Sequence, residues 1–358
     1  MKMKSIGTAV VALVAASLAP DAQAYTWKKC GSKNAKWPAN TVTLRLSDVG
    51  FPSGSTWLSA MAAVVARWSN TPSKMNYAWQ GNEEGVGEEN GQSEVWWSPD
   101  ITPPAVAYRE VDDATCEITE ADVVFKNGSG YTTATAKSAL WSYGGDFRPF
   151  RTTAMHELGH VQGLGHTNDR YSIMGEDWTH IHAHGTLATA YPGEDAVDGS
   201  VDVYGSTAGA FEDLGVTHWR FAFADGAYAR HTRTRVFNAS GVVLPKIQAG
   251  GEPVYLVNKG QTVLLELTYE NMGKSTQSAL VRYYLSTNAT INDQDTHLRY
   301  AELNVSRGAP DTVTLDIAIP QWVTSGTTYY LGAVLDSDEQ IAEAYEANNV
   351  TYTAIKIN

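Results

Sequence analysis

The sequence predicts an α+β domain followed by an all-β sandwich. Two features of its patterning carry that reading. The first two hundred residues mix strand-like alternation with helix-like stripes, whereas from about residue 251 only short β-rich runs recur between turns. A third observation is chemical: residues 156–166 read His-Glu-Leu-Gly-His-Val-Gln-Gly-Leu-Gly-His.

The first 24 residues stand apart. Lys2 and Lys4 precede an apolar run from Ile6 to Leu18, and Ala22-Gln23-Ala24 suits cleavage, so residues 1–24 are expected to be a signal peptide. The run is too short to span a bilayer comfortably. The mature chain is expected to begin near Tyr25 and to be secreted. In Thr41–Leu46 apolar and polar residues alternate, as in a half-buried strand. Ser53 or Ser55 can cap the helix that follows, where Trp57, Met61, Val64, Val65 and Trp68 form a buried stripe. Lys74–Gln80, Ser93–Trp97 and Ala121–Phe125 read as strands. The loop at 81–93 carries Glu83, Glu84, Glu88 and Glu89, which fit either a solvated acidic loop or a calcium site. Phe147–Thr153 leads into the histidine helix. Glu194–Tyr204 reads as a further helix, stopped by Gly205.

Residues 207–250 read as a connecting segment with a probable hairpin around Asp225-Gly226 and a turn at Asn238-Ala239-Ser240-Gly241. The later runs are Val254–Val257, Gln261–Tyr269, Ala279–Leu285, Thr312–Ile319, Thr327–Leu335 and Val350–Ile357. Their spacing suits an antiparallel Ig-like sandwich over 251–358.

The histidine stretch is read as a catalytic zinc site. His156 and His160 are four residues apart, hence on one helix face. Glu157 lies beside them as a general base. Gly163 can end the helix and return His166 as a third ligand, which leaves a fourth position for water. Met174 follows eight residues later. Two cysteines, Cys30 and Cys116, are expected to pair in an oxidising compartment; the rival is a Cys30 thiolate that caps the zinc. His180, His182 and His184 alternate, and two readings stay open: a polar loop at the active-site rim, or a second metal site. The 358-residue chain has a formal net charge of −13, one unit more negative without Lys2, Lys4 and Asp21. That excludes nucleic acid and anionic membrane as natural partners.

On His156, Glu157, His160, Gly163, His166 and Met174, the first part resembles the metzincin clan of zinc endopeptidases, and its matrixin-like members in particular. Glu120–Phe125 and Asp195–Gly205 add to the likeness. The resemblance implies a metzincin catalytic domain over 25–206, with a mixed sheet and a zinc helix. It also implies one Zn2+ on the three histidines, Glu157 as base, Met174 as the floor of the metal site, and protein or peptide substrates. The chain departs from the clan in three ways. Glu176 stands where some relatives have tyrosine. No histidine precedes His156 to build a second, structural zinc site. No long inhibitory propeptide is expected in the short stretch before Thr41. The C-terminal part resembles the cell-adhesion-related (CARDB-like) domain of bacterial exported proteins, through Val257–Gln261, Glu270-Asn271-Met272-Gly273, Tyr283–Ser286 and Asn348-Asn349. The resemblance implies a bacterial source and an accessory module that binds a surface or macromolecular ligand and is dispensable for small peptides. An adhesion protein with a vestigial zinc domain is the alternative.

Overall fold

The computed structural model describes residues 25–82, 85–167, 172–175, 180–217, 234–308 and 310–358. Five strands form the first sheet: β1 (Thr41–Ser47), β2 (Asn76–Asn82), β3 (Glu94–Ser98), β4 (Ala105–Asp112) and β5 (Glu117–Lys126). Their order is β2-β1-β3-β5-β4. Four run parallel, and β4 closes the edge antiparallel to β5. The alternation seen in β1 buries Val42, Leu44 and Leu46. Sequence reading missed β4. Its apolar residues are small or spaced irregularly, but the turn after it is legible: Asp112 Oδ1 accepts from the N–H groups of Ala114 and Thr115 at 2.8 and 3.1 Å.

Helix α1 (Thr56–Ser69) is capped by Ser55, whose Oγ accepts from Leu58 N at 3.0 Å. Its stripe of Met61, Val64, Val65 and Trp68 is buried against α2 (Phe150–Val161). Cys30 and Cys116 form a disulfide with Cα atoms 5.7 Å apart, so neither is a free thiol. Thr26–Trp27 pairs antiparallel with Leu164–Gly165, just past α2. The hairpin of β6 (Ile181–His184) and β7 (Leu187–Ala190) follows, then α3 (Glu194–Tyr204).

The strands of the second part are β8 (Leu214–Thr217), β9 (Val236–Asn238), β10 (Lys246–Ala249), β11 (Glu252–Val257), β12 (Thr262–Asn271), β13 (Gln277–Ser286), β14 (Thr296–Val305), β15 (Asp311–Ala318), β16 (Thr328–Val334) and β17 (Val350–Ile357). One sheet places β8 and β9 along one side of β12 and β15 along the other. The second runs β10-β11-β17-β16-β13-β14. Both feed one apolar core that includes Leu214, Val236, Leu265, Tyr283, Leu331 and Ile355. The stretch 207–250 is therefore more than a connector. Leu214–Thr217, Val236–Asn238 and Lys246–Ala249 pair with sandwich strands. They escaped notice because three or four residues are too few to show a period. The Asn238–Gly241 turn forms, with Gly241 N donating to Asn238 O at 2.9 Å. The Asp225-Gly226 hairpin, the signal segment 1–24 and Glu176 lie outside the described residues.

Candidate active site

Helix α2 presents His156 and His160 one turn apart, and a reversal at Gly163 returns His166 to them. Gly163 has φ of +110°, and a Cβ there would lie 2.8 Å from Ala35 O, so both the backbone and its surroundings require glycine. The three Nε2 atoms converge: His166 Nε2 is 3.1 Å from that of His156 and 3.1 Å from that of His160. Two rings are held by carbonyl groups. His156 Nδ1 bonds Ile173 O at 2.7 Å, and His160 Nδ1 bonds Leu164 O at 2.8 Å. A carbonyl only accepts, so each Nδ1 carries the proton and each Nε2 keeps its lone pair. Sequence reading had left these orienting groups unnamed. Burial lowers the His156 pKa to about 3 and that of His160 well below the ordinary value, so both rings stay in the neutral, ligating form.

Met174 is fully buried, in a turn where Ser172 Oγ accepts from Met174 N at 3.1 Å and Thr167 N donates to Met174 O at 3.0 Å. Its sulfur lies against Gly159: a Cβ at 159 would be 2.2 Å from Sδ. The turn also supplies Ile173 O to His156. Glu157 is 2% exposed. Burial pushes its carboxyl up to about 8, against the opposing pull of the Arg109 charge and a backbone hydrogen bond from Ala107.

Sequence reading also missed how the end of α2 is held. The last carbonyls of a helix lack partners of their own. Here Tyr77 OH donates to Leu158 O, Arg109 Nη1 to His160 O at 2.9 Å, Trp37 Nε1 to Val161 O at 2.8 Å and Tyr204 OH to Gln162 O at 2.6 Å. Arg109 reaches Leu164 O as well, at 3.1 Å. Five side-chain bonds thus fix the segment from Leu158 to Leu164.

Residues 108–199 match the family described as Matrixin, Peptidase_M10. Over that stretch the chain is similar to the matrixins. The matrixin match spans His156, Glu157, His160, His166 and Met174 and supports a metallopeptidase. Two solved structures similar to the chain are the CARDB domain of a Pyrococcus furiosus protein, one a crystal structure in complex with di-metal ions and one a solution NMR structure. Each is 16% identical with a TM-score of 0.26, covers 41% of this chain, and is itself covered to 90% and 95% respectively. Among curated proteins there is no match to the chain.

The other expected site residues fall in different places. Glu88 and Glu89 are exposed, and Glu83 and Glu84 lie outside the described residues. The alternating histidines form no polar rim loop: His180 and His182 are buried, and His184 Nε2 accepts from Ile291 N at 2.9 Å. Among the described residues, no helix is long and apolar enough to cross a membrane.

Proposed function

We propose that this matrixin-like chain is a secreted zinc endopeptidase that hydrolyses peptide bonds of extracellular proteins. The convergence of three Nε2 atoms, two of them oriented by carbonyl acceptors, carries the reading. The donor set fits zinc: three imidazoles, with the third, His166, on the exposed side. Zinc, when bound, supplies Lewis acidity toward a carbonyl and toward water.

The chain's own residues do the rest. The Glu157 carboxylate takes a proton from the attacking water as the new C–O bond forms, then gives it to the amine nitrogen as the C–N bond breaks. Arg109 fixes the carbonyls of His160 and Leu164 and so holds the second and third histidines in register. The edge strand β4, packed beside α2, offers an extended substrate a sheet to join.

Glu157→Gln tests this reading. The variant should keep its zinc and its fold and lose at least about a hundredfold in turnover, the scale of general-base catalysis. Casein or peptide hydrolysis at near-native rate by the folded, zinc-loaded variant overturns the assignment.

A further inference from the structure

We propose that His180, His182 and Glu270 bind a second divalent metal ion of the zinc class, which ties the β6–β7 hairpin of the first domain to strand β12 of the sandwich. Among the described residues, two groups of His, Cys, Asp or Glu bring three ligand atoms within 4.8 Å of one another: the histidines of α2 and this cluster.

Three lines of geometry support the site. First, the donor atoms already converge. His180 Nε2 is 3.0 Å from each Glu270 oxygen, and His182 Nε2 is 3.3 Å from Oε2. Metal–ligand bonds of about 2.0–2.1 Å at tetrahedral angles set ligand atoms about 3.3–3.4 Å apart, so small shifts admit an ion. The catalytic histidines stand at the similar spacing of 3.1 Å.

Second, the cluster is dry and acidic. His180, His182 and Glu270 are 0%, 4% and 0% exposed. Two more buried acidic residues, Glu194 and Asp213, meet the same corner through their main chains. Glu194 N donates to Glu270 Oε1 at 3.3 Å, and Asp213 O accepts from Met272 N, two residues past Glu270. Nearby cations are engaged elsewhere: Arg307 with Asp198 at 2.8 Å, and Arg67 with Ala190 O at 2.7 Å. Buried carboxylates in this number are costly without compensating positive charge, which a divalent ion supplies.

Third, the backbone makes room. Gly193, with φ of +77°, passes so close that a Cβ would stand 2.7 Å from His180 Nε2. Two imidazoles and one carboxylate suit zinc and its first-row neighbours rather than calcium or magnesium.

The test is metal content of the full mature protein after zinc loading and desalting. Native protein should hold about two zinc ions per chain, His160→Ala about one, and His160→Ala/His182→Ala close to none. Should the double variant fail to fold, cobalt titration of His160→Ala gives the answer without altering the cluster. One equivalent should produce visible d–d bands of a nitrogen- and oxygen-ligated ion, with a rise in melting temperature. Native protein with a single zinc that His160→Ala abolishes, and no cobalt spectrum in that variant, overturns the proposal and leaves a hydrogen-bonded His–Glu–His group. Failure of the catalytic reading looks different, because His160→Ala would then remove no zinc.

Discussion

At the scale of single residues, the smallest side chains carry the sharpest constraints. Gly159 exists for Met174: a Cβ at 159 would meet the buried methionine sulfur at 2.2 Å. Gly159→Ala should cost about 1–3 kcal/mol, as overpacking does, and should weaken zinc binding because the displaced turn carries Ile173 O. Thermal melting and competition with a zinc chelator measure both effects, and adding Met174→Ala should restore part of the loss. Asp122 offers a pH test. Its Oδ1 accepts from Glu94 N at 2.8 Å. Burial, then the charges of Glu120 and Glu94, push its carboxyl up to about 8. The folded chain therefore keeps a proton that the unfolded chain releases above about pH 4. Stability from this group is full at low pH and drains away as pH rises toward 8. Asp122→Asn cannot titrate and keeps an acceptor for Glu94, so its melting temperature should gain on the native value between pH 5 and pH 8. Parallel pH profiles for the two proteins would show the carboxyl already ionised in the fold.

At the scale of elements, α2 is a short helix whose stability is borrowed. It has little amphipathic pattern because nearly every residue from Phe150 to Val161 is buried. Its C-terminal carbonyls are satisfied by donors from α3, β2, β4 and the N-terminal segment. Arg109 does most, with two bonds and a positive charge at the negative end of the helix. Arg109→Met should destabilise the protein by about 2–4 kcal/mol, the scale for losing charged hydrogen bonds at buried acceptors, and should lower zinc affinity. Urea denaturation with and without zinc checks this. The sequence showed the proposed ligands and not this scaffold for a physical reason. Ligand spacing is local, whereas Arg109 and Trp37 lie 51 and 124 residues from the carbonyls they serve. In the same way α3 was legible to the residue from its own pattern and Gly205. Strand β14, half exposed with charged residues on it, showed no clear edge.

At the scale of the whole molecule, the two parts share hydrogen bonds and an ion pair. Asn271 N and Gly308 N of the sandwich donate to the Glu194 carboxylate at 2.8 and 2.6 Å, Arg307 pairs with Asp198, and Gly185 N donates to Ala289 O at 2.7 Å. The sequence reading expects an accessory domain that folds alone and is dispensable for small peptides; these contacts support the opposite proposal, that each part steadies the other. Short-range patterns could not reveal it, because the contacts join residues 76 to 114 positions apart. A chain ending near residue 210 strips the partners from Glu194, Asp198, His180 and His182. It should aggregate or melt well below the full chain, with peptide hydrolysis falling in step with the folded fraction. Light scattering and circular dichroism of the shortened chain decide the matter; a stable, fully active fragment would restore the modular account.

The N-terminal lacing has a consequence for latency. Thr26–Trp27 pairs with Leu164–Gly165, Thr26 Oγ1 donates to His166 O at 2.6 Å, and the Cys30–Cys116 bridge anchors this strip four residues further on. The third histidine is therefore braced by a strand whose mooring is a covalent bond that forms only where thiols oxidise. While its cysteines are still reduced, a newly made chain would hold His166 on a slack tether and grip zinc poorly. On the proposed function, such a chain would be the weaker hydrolase while its thiols are reduced and the stronger one once they are oxidised, with the disulfide as the arming step.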